Sequence, residues 1–187
     1  MESYETRLSY LLRGASVMAE RIETASFERV AENMKAILRI TKDDLKDLEK
    51  HLYRRYPDRE WGTFIKLGYR RTAWGIALSF VESVLPRPDD LERNVALTRF
   101  NDQYIRRAFK EAESQPLAIG VVHSHPQGYA TYPSLLDDDM DAYFARELSS
   151  FGKGAPYCSL ILQKGRSGET TFTARVHDKA SGCMSNH

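Results

Sequence analysis

The 187-residue sequence predicts an α/β (α+β) fold in which helices flank a single mixed β-sheet. Segments with helical spacing of apolar residues alternate with short segments rich in β-branched and aromatic residues. Residues 117–125 (LAIGVVHSH) form a nearly continuous apolar run, which is typical of a central strand buried on both faces. Two predicted hairpins add antiparallel pairs that a simple series of βαβ units does not contain.

Composition narrows the classes of function. Net charge is +1, from 27 basic and 26 acidic residues, which disfavours a broadly basic nucleic-acid binder. No run of 18 apolar residues and no secretory signal pattern is present, so we expect no membrane partner. Cys158 and Cys183 form neither a CxxC motif nor a disulfide framework. These features predict a cytoplasmic protein.

The N-terminal part is predicted to be helical. Apolar residues recur at helical spacing over residues 4–24, and Ser26 is the predicted N-cap of a short helix that ends at Asn33. A short strand is expected over residues 34–40. We expect the apolar face of the first helix to pack on the domain, with dimerisation and docking of a partner as alternatives.

The central part is predicted as a helix followed by strands. Thr41 and Asp44 form a capping box, and Pro57 ends that helix. Two strands are then expected at residues 60–69 and 73–85. The remaining predicted elements are a turn at residues 70–72, a loop at 86–93 and a strand at 95–100.

The C-terminal part contains helix, strand, helix and hairpin in that order. We predict helices over residues 101–113 and 134–150, on either side of the strand at 117–125. The expected core residues of the second helix are Leu135, Met140, Tyr143, Phe144 and Leu148. Strands at residues 157–163 and 170–176 form the predicted hairpin.

Two histidines and an aspartate form a candidate metal site. His123 and His125 are two residues apart on a predicted strand, so both side chains point to one face. Asp137 is in the first turn of the next helix, and the intervening loop can bring its carboxylate back to the histidines. Two imidazoles and one carboxylate are a ligand set for catalytic zinc that leaves one position for water.

Hydrolysis at such a site also needs a proton carrier. A second carboxylate must accept the proton of the attacking water and deliver it to the leaving amine. On chemistry alone, Glu60 and Glu82 are both candidates.

The motif H-S-H-P followed by P-S-x-x-D resembles that of the JAMM/MPN family of zinc metalloproteases, which remove ubiquitin and ubiquitin-like proteins from their targets. The resemblance extends over residues 34–176 and implies an MPN-like, cytidine-deaminase-like sandwich. It implies one zinc per chain, held by His123, His125 and Asp137. It further implies that Ser134 hydrogen-bonds the oxyanion and that Glu60, which matches better than Glu82, is the proton carrier.

One spacing departs from the family pattern. Eleven residues separate His125 from Asp137, where the family usually has ten. Alignment on Pro133 and Ser134 selects Asp137. An insertion after Ser134 would select Asp138 instead, and Asp139 is a more distant alternative.

Several residues also have purely structural interpretations. Ser134 and Asp137 match a helix capping box. The neighbouring acidic residues, namely Asp138, Asp139 and Asp141, are interpreted as charges that favour a helix N-terminus. We expect His51, His177 and His187 at the surface and Cys158 in the core, whereas Tyr129 and Tyr132 either contact substrate or pack their loop.

The resemblance implies three regions and a function. These regions are a helical extension (residues 1–33), a JAMM/MPN-like metalloprotease domain (34–178) and a disordered tail (179–187). The implied activity is a zinc-dependent isopeptidase that cleaves after the C-terminus of a ubiquitin-like protein, whose tail binds as an added strand beside residues 74–81.

The same resemblance implies partners and alternatives. Bacterial relatives occur with ubiquitin-activating-like and ubiquitin-conjugating-like enzymes, some of them in antiviral defence. One alternative is a metal-free MPN-type scaffold that binds partner proteins, although the intact ligand set argues against it. A role in peptidoglycan or phage-tail processing ranks last, since the sequence shows neither a second catalytic domain nor an export signal.

Overall fold

A computed structural model describes residues 5–9, 27–28 and 35–178, except residues 56, 58, 74, 95–96, 130, 152–153 and 166. Its described part is a mixed α/β structure with helices on both faces of one curled mixed sheet, as the sequence predicts. The finer MPN-like assignment stays a prediction. No described helix is long and apolar enough to cross a membrane.

Most of the described elements are strands. One helix lies in the first half of the chain and two lie in the second half. The strands are β1 (Glu5–Ser9), β2 (Phe27–Glu28), β3 (Lys35–Thr41), β4 (Trp61–Thr72), β5 (Gly75–Val84), β6 (Leu91–Asn94), β7 (Leu97–Phe100), β8 (Ala118–Ser124), β9 (Tyr157–Lys164) and β10 (Thr170–His177). The helices are α1 (Lys42–Leu52), α2 (Asp102–Glu113) and α3 (Leu135–Phe151), with a 3-10 turn at Tyr53–Arg55.

Six strands form the body of the sheet in the order β3-β5-β4-β8-β9-β10. The pairs β3/β5 and β8/β9 are parallel, and the other neighbouring pairs are antiparallel. β1 and β2 add to the free edge of β3, while β6 and β7 form a separate two-stranded sheet. All seven residues of β8 are buried, which confirms the prediction of a central strand.

Two apolar clusters lie on opposite faces of the sheet. One contains Leu48 and Leu52 of α1, and the other contains Tyr104 of α2 and Phe144 of α3. The N-termini of α1 and α2 are capped, because Thr41, as predicted, accepts a hydrogen bond from the Asp44 amide and Asn101 accepts one from the Tyr104 amide. Because α3 connects the parallel strands β8 and β9, its start lies beside the end of β8.

The helical prediction for the N-terminal part is wrong where the structure tests it. Glu5–Ser9 and Phe27–Glu28 are strands that pair antiparallel with β3. The free edge of β3 offers unpaired backbone groups, and pairing with them outweighs the local helical pattern. The rest of residues 1–33, the 179–187 tail, Cys183 and His187 lie outside the described residues, so the three-region division stays a prediction.

Smaller corrections concern turns and the surface of α3. Residues 70–72, predicted as a turn, belong to β4, and the predicted 86–93 loop contains the start of β6. Leu135 is 86% exposed and Tyr143 is also exposed, so both predictions of core positions are wrong. Phe144 and Leu148 are buried as predicted, Met140 packs at the edge of the core, and Cys158 is buried.

Candidate metal centre

The two histidines lie at the C-terminal end of β8. His123 is paired with Gly62 of β4, and His125 follows directly after the strand, where its amide donates to the Leu162 carbonyl at 2.9 Å. Because side chains alternate along a strand, both imidazoles lie on the face covered by α3. Both side chains are buried.

Gly62 leaves room for the first histidine. A Cβ atom at this position would lie 3.0 Å from Phe100 Cζ and 3.3 Å from His123 Cβ. The absence of a side chain at Gly62 therefore allows the Phe100 ring and the Cβ atom of His123 to lie close to the backbone of β4.

Asp137 reaches the histidines from the first turn of α3. Its Oδ2 atom accepts hydrogen bonds from both the amide and the hydroxyl of Ser134, each at 2.7 Å, and its own amide donates to Ser134 Oγ at 3.2 Å. These reciprocal bonds form the predicted capping box. The box leaves Oδ1 of Asp137 directed at His123. The capping role of Asp137 is therefore compatible with a role as a metal ligand.

The ligand atoms converge at distances that suit a metal ion. His123 Nε2 and His125 Nε2 are 3.3 Å apart, and Asp137 Oδ1 is 3.1 Å from His123 Nε2. Asp137 Oδ2 is 3.7 Å from His125 Nε2. Ligand atoms of a tetrahedral zinc, each about 2.0–2.1 Å from the ion, lie about 3.3 Å apart. One small cation between these three side chains would contact all of them, and the three form a buried group that could hold a metal ion.

The carboxylate of this group is held in its charged form. Burial by itself raises the pKa of Asp137, but hydrogen bonds with His123 and His125, the electrostatic effect of His123 and the hydrogen bond from Ser134 outweigh burial. The pKa of Asp137 therefore lies well below its usual range. A deprotonated carboxylate is the form that binds metal ions.

Ser124, between the two histidines, anchors the site to the opposite face of the sheet. Its hydroxyl donates to the Leu52 carbonyl at the end of α1, at 3.1 Å, and accepts from the Trp61 amide at 3.2 Å. The Trp61 indole donates to His51 Nε2 at 3.0 Å. These bonds hold the start of β4 against the end of β8.

The structure brings Glu60 to the same end of the sheet and keeps Glu82 away. Glu60 is half-buried and directly precedes Trp61, whose Cα pairs with Ser124, so its backbone lies next to the end of β8. Glu82 instead forms an ion pair with Lys66 at 2.7 Å. Lys66 is four residues along β4 from Gly62, or about 13 Å.

The alternative aspartates have other partners or positions. Asp138 accepts from Arg175, and Asp141 is buried beside Arg175 and Tyr157, whereas Asp139 is exposed on α3. Of these acidic residues, Asp137 alone belongs to the buried histidine group. The interpretation of Asp138 and Asp141 as nothing more than charges that favour the helix N-terminus is wrong, because both contact Arg175.

Two histidines predicted at the surface are half-buried. His51 accepts the Trp61 hydrogen bond, and His177 lies beside Tyr157 with its Nε2 3.8 Å from Asp141 Oδ2. The alternation of β10, which places His177 two residues after Arg175, could have indicated a shared face.

The comparisons with known proteins give no family assignment. No protein-family model matches the sequence, and no curated protein is significantly similar to it.

Proposed function

We propose that the protein is a zinc-dependent hydrolase of the JAMM/MPN type that cleaves an amide or isopeptide bond after the C-terminus of a ubiquitin-like protein. The observation that carries the proposal is the convergence of His123, His125 and Asp137, whose ligand atoms lie 3.1–3.7 Å apart at their closest approaches. Without a metal ion, this arrangement would bury two imidazole nitrogens and a carboxylate around a common point.

The side chains fit zinc better than a hard cation. Two imidazoles and one carboxylate form a nitrogen-rich donor set, whereas calcium and magnesium prefer oxygen ligands. When bound, zinc supplies Lewis acidity that polarises the scissile carbonyl and lowers the pKa of water to about 7. We expect one zinc per chain.

Glu60 is assigned as the proton carrier. It accepts a proton from the attacking water and delivers it to the leaving amine. Its position supports this role, because Trp61 is anchored through its amide and its indole to Ser124 and His51. The backbone next to Glu60 therefore has a defined place beside the histidines.

Ser134 is assigned two roles. In the structure its hydroxyl donates to Asp137 at 2.7 Å and so orients the ligand carboxylate. During catalysis we propose that the same hydroxyl donates to the oxyanion of the tetrahedral intermediate. The backbone amide of Ser134, which also donates to Asp137, keeps the carboxylate oriented while the hydroxyl turns.

Pairing within the sheet narrows the place where an extended substrate tail could bind. The predicted edge at residues 74–81 is wrong for Gly75–Ser79, because these residues pair with β3. The described ladder between β3 and β5 ends at Ser79, before β5 itself ends at Val84. We propose that the tail pairs beyond Ser79, where Val81 is exposed.

Exposed aromatic residues lie on the loop that follows the histidines. Tyr129 and Tyr132 are both largely exposed, at 63% and 52%. We assign them to substrate contact rather than to packing of the loop. Conjugates of a ubiquitin-like protein, and the activating-like and conjugating-like enzymes that make them, are the proposed partners.

Elemental analysis of protein purified without chelator or histidine tag tests the metal centre. We expect about one zinc per chain in the wild-type protein and loss of the zinc in His123→Ala. Absence of bound zinc after addition of excess zinc would contradict the proposal and favour the metal-free scaffold.

Cleavage assays on ubiquitin-like fusions test catalysis separately from metal binding. Glu60→Gln should keep its zinc and lose activity by about 10²–10⁴-fold, since the amide cannot carry the proton. Glu82→Gln is the matched control, because the same change occurs on a neighbouring strand beside Lys66, and it should retain activity. Full activity in Glu60→Gln would remove Glu60 from the mechanism.

A further inference from the structure

Three acidic residues of α3 contact three different strands of the sheet. Asp137 contacts His123 at the end of β8, as described above. Asp141 accepts a hydrogen bond from the Tyr157 hydroxyl of β9 at 2.8 Å. Asp138 accepts a hydrogen bond from Arg175 of β10. The start of α3 is thus joined to β8 through Asp137, to β9 through Asp141 and to β10 through Asp138.

Arg175 bridges two of these carboxylates. Its Nη1 donates to Asp138 Oδ1, and its Nη2 lies 2.5 Å from Asp141 Oδ2. The side chain of Arg175 is only 11% exposed, and that of Asp141 only 2%. The contact with Asp138 is a hydrogen bond, and the contact with Asp141 is an ion pair. Together the two contacts, with carboxylates three residues apart on one helix, restrict the rotation of that helix and its position along its axis.

The capping box cannot provide this restriction. Ser134 and Asp137 are both at the start of α3, so their hydrogen bonds orient the carboxylate relative to the helix. They do not orient the helix relative to the sheet that carries His123 and His125. The orientation of α3 relative to the sheet must come from contacts between α3 and the strands, and Arg175 makes two of these contacts.

A rotation of α3 would move Asp137 away from the histidines. Adjacent residues on a helix point about 100° apart. Asp137 can therefore face β8 while Asp138 faces β10 only over a narrow range of rotations of α3 about its axis. With Asp138 and Asp141 held on Arg175, Asp137 Oδ1 is 3.1 Å from His123 Nε2.

We infer that Arg175 is a positioning residue for the metal centre: by holding Asp138 and Asp141 it sets the rotation of α3 at which the Asp137 carboxylate meets His123 and His125. This inference rests on the metal centre proposed above. Arg175 contacts neither metal nor substrate, so its effect is on the affinity for metal rather than on the chemistry of the bound ion.

Metal affinity in Arg175 variants tests the inference. Zinc affinity is measured by competition with a chelator, and the ligand geometry is followed by the visible absorption of the Co²⁺-substituted protein. Arg175→Met should weaken zinc binding by about 10–100-fold, the usual effect of losing a group that orients a metal ligand. Arg175→Lys should weaken it less, because an ammonium keeps the charge but lacks the planar fork.

Arg71 offers a matched control. Its guanidinium also binds a buried carboxylate, with Nε and Nη2 at 2.9 and 2.7 Å from the two oxygens of Asp178. Arg71→Met therefore removes a similar ion pair away from the candidate metal centre, and zinc affinity should stay at the wild-type value. Zinc affinity at the wild-type value in folded Arg175→Met would overturn the inference.

The two proposals fail in different ways. If the wild-type protein binds no zinc, the proposed function fails, and the ¹⁵N signals of the His123 and His125 rings in metal-free protein then decide the role of Arg175. Those signals should shift in the Arg175 variants and not in Arg71→Met, because the rings lose their contact with Asp137. If Arg175→Met does not fold, Arg175→Lys decides, and wild-type affinity and ring signals in that variant would overturn the inference.

Discussion

Two groups of polar side chains lie on the α2/α3 side of the sheet, each with at least one buried member, and they differ in how their charges are balanced. At the middle of β4, Lys66 lies between Glu82 and Glu111, at 2.7 and 2.9 Å. At the end of β8, His123 and His125 face Asp137. The Lys66 group contains a permanent cation, which is the lysine ammonium. The histidine group contains metal-ligating atoms that converge without a permanent cation among them.

This difference separates a structural ion cluster from a binding site. The Lys66 ammonium is buried, but both of its partners are partly exposed, so water solvates the acidic side of the cluster. Hydrogen bonds to Glu82 and Glu111 outweigh the burial of Lys66 and raise its pKa. Such a cluster needs no ligand, while the histidine group has the composition and spacing of a metal site.

The largest expected effect is on metal affinity. Asp137→Asn replaces a charged ligand by a neutral amide, so zinc affinity should fall by more than the about 10–100-fold expected for loss of a group that only orients a ligand. Glu111→Gln makes the same kind of change in the Lys66 cluster and should leave zinc affinity unaltered. Competition with a chelator measures both. Equal affinities for Asp137→Asn and the wild-type protein would place the metal elsewhere or remove it.

An intermediate effect is expected on stability at the Lys66 cluster. The double variant Glu82→Gln, Glu111→Gln leaves a buried ammonium without a counter-charge and should lower the free energy of unfolding by about 3 kcal/mol. Lys66→Met removes the buried charge and leaves two partly solvated carboxylates, so it should cost only about 1 kcal/mol. Urea unfolding compares the two, and a larger loss in Lys66→Met would reverse this account of the cluster.

The smallest expected effect comes from a methyl group beside His123. In Gly62→Ala the new Cβ would lie 3.0 Å from Phe100 and 3.3 Å from His123, so we expect a loss of about 1 kcal/mol in stability. Gly68→Ala on the same strand is the control, since a Cβ there meets only Ser79 O at 3.8 Å. If thermal unfolding shows the same change in both variants, crowding at His123 is not the cause.

The sequence predicted the candidate metal centre because its signals are local. Strand alternation places His123 and His125 on one face, and the S-x-x-D pattern places Asp137 beside Ser134 at a helix start. Loop length alone does not separate Asp137 from Asp138, because it does not determine the rotation of the helix about its axis. Contacts of α3 with β9 and β10 determine that rotation, and they join residues distant in sequence.

Non-local contacts also explain the errors in the fold. The N-terminal segment has a helical pattern, but the open edge of β3 pairs with Glu5–Ser9. The buried environment of Asp141 depends on Arg175 and Tyr157, which lie on two different strands. Neither edge pairing nor a buried ion pair leaves a periodic signal in one segment. Most other helix and strand predictions were correct because their spacing and caps are encoded locally.

The three proposed ligands all come from one short segment, which consists of a strand end, a loop and a helix start. Only eleven residues separate His125 from Asp137. Closing so short a loop removes little chain entropy. A bound ion would therefore stabilise the contact between α3 and β8 locally and add little to the stability of the whole domain. Release of the ion would require the first turn of α3 to lift from β8 and Asp138 to leave Arg175. The rate of metal exchange would then report this local opening and not the unfolding of the protein.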